Sequence, residues 1–218
     1  MLNIRLAQRE KGLLNILCLG AHSDDIEIGC GGTILQLQKR NENLVFYWVV
    51  FSANEKRKKE AHASAREFLS EAKKSTVVTK NFKDGYFPYF GAEIKEYFET
   101  LKKAFSPDLI VTHTRHDLHQ DHRLLSELTW NTFRDHMILE YEIAKYDGDL
   151  GSPNLFVHLD EDVCRKKANL IRTIFRTQAG NHWFSEEIFL SLLRLRGIES
   201  NAPTGYAEAF YSRKAVLG

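Results

Sequence analysis

Apolar and polar positions follow two rhythms along this chain. Continuous apolar runs of strand length recur as "LLNILCLGAH" (13–22), "LVFYWVVFSA" (44–53), "STVVTKNF" (75–82) and "DLIVTHT" (108–114). Between them lie segments with apolar residues at helical spacing. These are "GGTILQLQKRNE" (31–42), "EKRKKEAHASAREFLSEAKK" (55–74), "AEIKEYFETLKKAF" (92–105) and "HRLLSELTWNTFRD" (122–135). In the third of these, Ile94, Phe98, Leu101 and Phe105 share one face, and Pro107 stops the helix. Strands buried on both faces read as continuous apolar runs rather than as alternating ones. Their regular exchange with helices predicts an α/β, Rossmann-like three-layer fold: a mainly parallel sheet with helices on both faces. The last third is less regular. "MILEYEIAKY" (137–146) and "NLFVHLD" (154–160) read as strands with "GSPN" turning between them. "EDVCRKKANLIRTIFRTQ" (161–178) and "SEEIFLSLLRLRGIES" (185–200) read as helices, and "GYAEAFYSRKAV" (205–216) as a final strand. No repeat or linker interrupts the pattern, so a single domain over 1–218 is expected.

Charge and composition narrow the function classes. Thirty basic and 29 acidic residues leave a net charge of +1, which offers no electrostatic argument for nucleic acid or an anionic membrane. No apolar run approaches the roughly 18 residues that an integral membrane segment needs. "MLNIRLAQREKG" lacks the apolar stretch of a signal peptide. Three cysteines without a CxxC pattern suggest free thiols in a reducing compartment. A cytoplasmic protein is expected. The pattern is silent on oligomeric state.

Two polar clusters interrupt this ordinary composition, each directly after an apolar strand. The first is "LGAHSDDIEIGCGGT" (19–33) and the second "HTRHDLHQDHR" (113–123). Ligands of open parallel sheets bind outside the carboxyl ends of the strands, and the first and fourth strands are neighbours in a common doubly wound order. Adjacent carboxylates such as Asp24 and Asp25 repel unless a positive charge sits beside them. Neutral imidazole and carboxylate are ordinary zinc ligands, and three protein ligands plus water make a catalytic site. Two histidines and one aspartate fill that role and leave a carboxylate over, free to act as general base. Residue types alone do not say which aspartate does which job.

"AHSDDIEIGCGGT" followed by "HQDHR" resembles the PIG-L/LmbE-like family of zinc-dependent N-deacetylases. "RKKEA" (57–61) and "GYAEAF" (205–210) resemble further signatures of that family. The resemblance implies His22, Asp25 and His122 as ligands of one Zn2+ per chain, other divalent metals being possible, and Asp24 as general base. It implies that His119 stabilises the oxyanion or protonates the leaving amine, that Asp121 orients its ring and favours its charged form, and that Arg57 lies near the substrate. The implied substrate is a small N-acyl amino sugar or glycoconjugate. Ser23 stands where proline is common in the family, and Glu27 lies one place later than in a frequent variant; neither removes a ligand.

Simpler readings compete. Asp24 or Asp25 can merely cap the helix that follows, and Asp121 the helix at "HRLLSEL". "GCGGT" is not GxGxxG, and two aspartates would repel a pyrophosphate. Arg57 sits in "KRKK", as a solvated helix face would. His113 and His116 are expected to line or support the site, His62, His136 and His158 to lie on the surface or pack, and Cys30 to pack. His182 can reach a substrate, but the simpler reading is preferred. The leading function is a hydrolase of N-acyl bonds. A zinc-dependent hydratase or lyase, a non-haem iron oxygenase and a carbohydrate-binding module with a structural metal are the alternatives.

Overall fold

The computed structural model describes residues 12–216. The amino-terminal stretch that bears on a signal peptide therefore lies almost wholly outside the described residues. Seven strands form one mixed, mostly parallel sheet in the order β3-β2-β1-β4-β5-β7-β6. They are β1 (Leu14–Gly20), β2 (Leu44–Val50), β3 (Lys74–Thr79), β4 (Leu109–His113), β5 (Met137–Tyr141), β6 (Leu155–His158) and β7 (Ala207–Ser212). The described α-helices are α1 (Asp25–Arg40), α2 (Glu55–Phe68), α3 (Gly91–Ala104), α4 (Gln120–Thr132), α5 (Glu161–Ile174) and α6 (Glu186–Glu199). None is long and apolar enough to cross a membrane.

The expected three layers are present because successive residues of a strand face opposite sides. Ile16 and Cys18 of β1, with Phe46 and Trp48 of β2, pack under α1, α2 and α5. Leu17 and Leu19, with Val49 and Phe51, pack against Ile94, Phe98 and Leu101 of α3 and Leu125 of α4. Burial on both faces explains why these strands are almost entirely apolar.

The chain runs outward from β1 through β2 to β3, then returns to place β4 on the other side of β1. Ile16 pairs with Leu109 and Cys18 with Val111, in parallel. The carboxyl ends of β1 and β4 thus lie side by side at the switch point, as expected, and both polar clusters emerge there.

The structure differs from the expected pattern in three places. The strand read over 137–146 ends at Tyr141, where its pairing to β7 ends. Beyond it, Glu142 leaves the ladder to bind Arg196 of α6. Nor do β5 and β6 pair with each other: β7 lies between them, antiparallel to both. Helix α1 also begins earlier than the apolar spacing from residue 31 implies, at Asp25. Its glycines serve close packing rather than phosphate binding. A Cβ on Gly29 would lie 2.1 Å from Cδ2 of Tyr141. That ring cannot retreat, because it is fully buried and its hydroxyl donates to the Leu19 carbonyl at 2.7 Å. Gly29→Ala is therefore expected to lower stability by about 1–3 kcal/mol through overpacking, read as a lower urea midpoint with an unchanged slope.

The three cysteines are free and buried. Cys30 packs within α1, its thiol directed to the Ile26 carbonyl at 3.2 Å.

Candidate metal centre and active site

After β1 the chain turns through Ala21, His22, Ser23 and Asp24 into α1. After β4 it runs from Thr114 to His119 and enters α4. The two turns are stitched together by His113 at the end of β4, whose Nε2 accepts the Ala21 N–H at 3.0 Å. The same Nε2 lies 3.2 Å from Asp25 Oδ2, so the buried His113 ring adjoins the cluster described next, and Asp25, His113 and His122 also group closely enough to hold a cation.

Three donor atoms converge between the turns. His22 Nδ1 lies 3.1 Å from His122 Nε2 and 3.4 Å from Asp25 Oδ2, and His122 Nε2 lies 3.5 Å from Asp25 Oδ2. All three residues are buried. A tetrahedral zinc with bonds of about 2.0–2.1 Å has ligand atoms about 3.3–3.4 Å apart, so this triangle fits one. The outward nitrogens are also held, as in metal sites whose ligating rings donate to a carboxylate. His122 Nδ1 is 2.9 Å from Asp117 Oδ2. His22 Nε2 is 3.0 Å from Asp84 Oδ1 and 3.3 Å from Asp121 Oδ2.

The electrostatics of the cluster favour a cation. Burial disfavours a charged His22 ring, but Asp25, Asp121 and Asp84 outweigh it and hold its pKa well above the ordinary value. Burial and the neighbouring His113 lower His122 to about 4, which leaves that ring neutral, the form that binds metal.

Asp24 occupies the N-cap position of α1, yet its side chain makes no capping bond. One oxygen, Oδ1, accepts Arg57 Nη2 at 2.8 Å; the other, Oδ2, is buried without a partner. A buried carboxylate oxygen with no donor is costly, which the capping explanation leaves unaccounted for. Burial pushes Asp24 up to about 6, with Arg57 pulling down and Asp25 pushing up. Arg57 turns inward from α2, while Lys56, Lys58 and Lys59 beside it are exposed. Asn54 caps that helix by accepting the backbone N–H groups of Lys56 and Arg57.

His119 stands at the N-cap of α4, its Nδ1 accepting the Asp121 backbone N–H at 3.3 Å. This leaves Nε2 as the hydrogen-bearing nitrogen of a ring centred 5.0 Å from His22 and 4.6 Å from His122. One expectation about this pair needs correction. The Asp121 carboxylate does not hydrogen-bond the His119 ring. It accepts Gly85 N–H at 2.7 Å and Phe87 N–H at 3.0 Å and faces His22 instead. Those partners occupy both carboxylate oxygens, and it is the Asp121 backbone N–H that meets the His119 ring. Asp121 does favour the charged His119 ring, but burial, then the nearby His22, outweigh it and lower the pKa.

The structure thus gathers His22, Asp24, Asp25, Arg57, His119, Asp121 and His122 at one edge of the sheet. His116 instead packs near Tyr211, and His62 and His182 are exposed. Glu27 is fully buried within α1, and burial pushes its carboxyl well above the usual range. Three contributors escaped the sequence reading. Asp117 lay within the quoted second cluster, five residues before the histidine it holds. Asp84 follows β3, and only the common edge of the parallel strands pointed toward it. Tyr141, at the end of β5, lies 3.3 Å from His113 Nε2.

Solved structures share this architecture. A conserved protein from Thermus thermophilus is 20% identical, with a TM-score of 0.72 over 94% of this chain and 97% of that one. The N,N'-diacetylchitobiose deacetylase from Pyrococcus horikoshii is 22% identical, with a TM-score of 0.67 over 93% and 84%. GalB, the 4-carboxy-2-hydroxymuconate hydratase from Pseudomonas putida, is 16% identical, with a TM-score of 0.68 over 94% and 98%. No curated protein matches the chain in sequence. The family model described as PIG-L, GlcNAc-PI de-N-acetylase, matches residues 17–133, which span β1 to α4 and hold both polar clusters. More than half of the chain is covered, and the chain belongs to the PIG-L family.

Proposed function

We propose that this chain is a metal-dependent hydrolase that removes an N-acetyl or other N-acyl group from an amino sugar or a related small amine. The observation that carries this reading is the partnerless buried oxygen of Asp24, placed beside the His22–Asp25–His122 triangle. A zinc or other divalent ion held by those three residues would polarise the amide carbonyl and lower the pKa of a water. Asp24 Oδ2 is the proton acceptor for that water, and Arg57 holds the carboxylate in place through Oδ1. The neutral His119 ring offers Nε2–H to the oxygen that gains charge as the carbonyl becomes tetrahedral. The proton taken by Asp24 then goes to the departing nitrogen, so water and amide give acetate and a free amine. His119 in this scheme donates a hydrogen bond rather than a proton, in keeping with its lowered pKa.

Membership of a de-N-acetylase family supports the substrate class. A second reading, hydration of a carbon–carbon double bond at the same residues, draws on the fold shared with the Pseudomonas hydratase. Metal-loaded protein incubated with N-acetylated amino sugars and, separately, with unsaturated carboxylic acids decides between them. Acetate and free amine in equal amounts support the hydrolase. Loss of the ultraviolet absorbance of the unsaturated acids, without acetate release from the sugars, supports the hydratase. His119→Ala is expected to lower kcat by about 10²–10³-fold, the contribution of one oxyanion donor, with metal content unchanged.

A further inference from the structure

The loop between β5 and β6 carries none of the groups used above, yet it is tied down firmly. At its two ends, Arg196 of α6 donates from Nε to Glu142 Oε2 and from Nη2 to Glu142 Oε1, both at 3.0 Å, and from Nη2 to the Gly151 carbonyl at 3.0 Å. Glu142 also accepts Gly151 N–H at 3.0 Å and the Tyr211 hydroxyl at 2.8 Å. In its middle, Lys145 reaches across to the loop that follows β4. Its ammonium lies 3.0 Å from Asp117 Oδ1 and 2.6 Å from Asp149 Oδ2, and its side chain is 12% exposed. Asp149 in turn accepts the Leu118 N–H at 2.8 Å.

Asp117 is the pivot of this arrangement. One oxygen, Oδ1, accepts the His119 backbone N–H at 2.8 Å as well as Lys145. The other, Oδ2, holds His122 Nδ1 at 2.9 Å. A single carboxylate therefore sets both the backbone of the oxyanion donor and the ring of a metal ligand. Asp117, Asp147 and Asp149 gather closely enough to suggest a second cation site. The Lys145 ammonium already sits among them, 3.7 Å from Asp147 Oδ2, and serves as their cation.

We propose that Lys145 is a positioning residue: by holding the Asp117 carboxylate, it sets the His122 ring for metal binding and the His119 backbone for catalysis. The inference rests on the metal reading of His22, Asp25 and His122. Charge-assisted hydrogen bonds are shorter and stronger than neutral ones, which suits them to this role. Without the ammonium, Asp117 and Asp149 are left as uncompensated carboxylates, and Asp117 keeps only His119 N–H and His122 Nδ1 of the three contacts that fix its rotamer.

The test is zinc affinity, measured by chelator competition on full-length protein, for wild type, Lys145→Met, Lys145→Arg and Asp149→Asn. Partners of this outer kind contribute about 10–100-fold to metal affinity. Lys145→Met is expected to weaken zinc binding by about 10-fold and to lower the melting temperature of the metal-free protein, because two buried carboxylates lose their cation. Lys145→Arg should recover much of the loss, and Asp149→Asn, which removes the other anchor of the lysine, should show a smaller loss. Unchanged affinity in Lys145→Met, or a loss that arginine does not recover, overturns the proposal. If Lys145→Met does not fold, Asp149→Asn decides by the same criterion. Wild-type protein that binds no zinc overturns the metal reading and this inference with it; wild-type binding with unaltered variants overturns this inference alone.

Discussion

His122→Ala protein is expected to purify with little metal and with activity near that of the uncatalysed reaction. The substitution removes one of three converging donors, leaving His22 Nδ1 and Asp25 Oδ2 3.4 Å apart without the third vertex of the triangle. It also strips Asp117 Oδ2 of its ring partner and removes a ring stacked on His113 at 3.8 Å. Losing a ligand should cost more than the roughly 10–100-fold in affinity that outer partners contribute. Metal per chain by elemental analysis, after dialysis against a weak chelator, checks this. A full equivalent retained by the variant would remove His122 from the ligand set. A melting curve of the metal-free protein separates metal loss from loss of fold.

Asp24→Asn should behave differently. The amide keeps the shape of the carboxylate but cannot accept the proton, so metal should remain while kcat/KM falls by about 10²–10⁴-fold, the range for a positioned general base. Asp24 is tied to Arg57 and is not a vertex of the donor triangle. The opposite outcome, metal lost from Asp24→Asn and kept in Asp25→Asn, reverses the two roles. The wild-type pH profile bears on the same residue. Burial first of all raises Asp24 to about 6. A base must be deprotonated, so the rate falls as pH drops through that value. A neighbouring metal cation can only lower it, which places the acid limb at or below about pH 6. Asp24→Asn should abolish that limb.

Which of these features the chain discloses by itself depends on how local they are. The three layers were legible because burial on both faces leaves β1 and β2 with almost no polar residues. The meeting of the two clusters followed from one further step, the adjacency of β1 and β4. The order of the last three strands was not legible. Nothing in "GYAEAFYSRKAV" states that it inserts between two earlier strands, because pairing partners distant in sequence leave no local periodicity.

The chemistry divides in the same way. Donor type and spacing are properties of short stretches, so "HSDD" and "HQDH" were legible as a candidate metal site with one carboxylate to spare, while the role of each residue came only from the resemblance to the family. The contacts of each side chain are properties of the folded turns. Only the tertiary structure sends the Asp121 carboxylate to His22 and the Gly85 and Phe87 amides instead of to His119. Only it turns Arg57 inward while its lysine neighbours stay in solvent. It likewise brings Asp84 from beyond β3 to His22, and Lys145 from the loop after β5 to Asp117. Residue types and their order determined what this edge of the sheet can bind. Long-range packing decided which atoms face each other, because hydrogen-bond partners are chosen by distance and angle in space, and chain spacing sets these only within a turn or two.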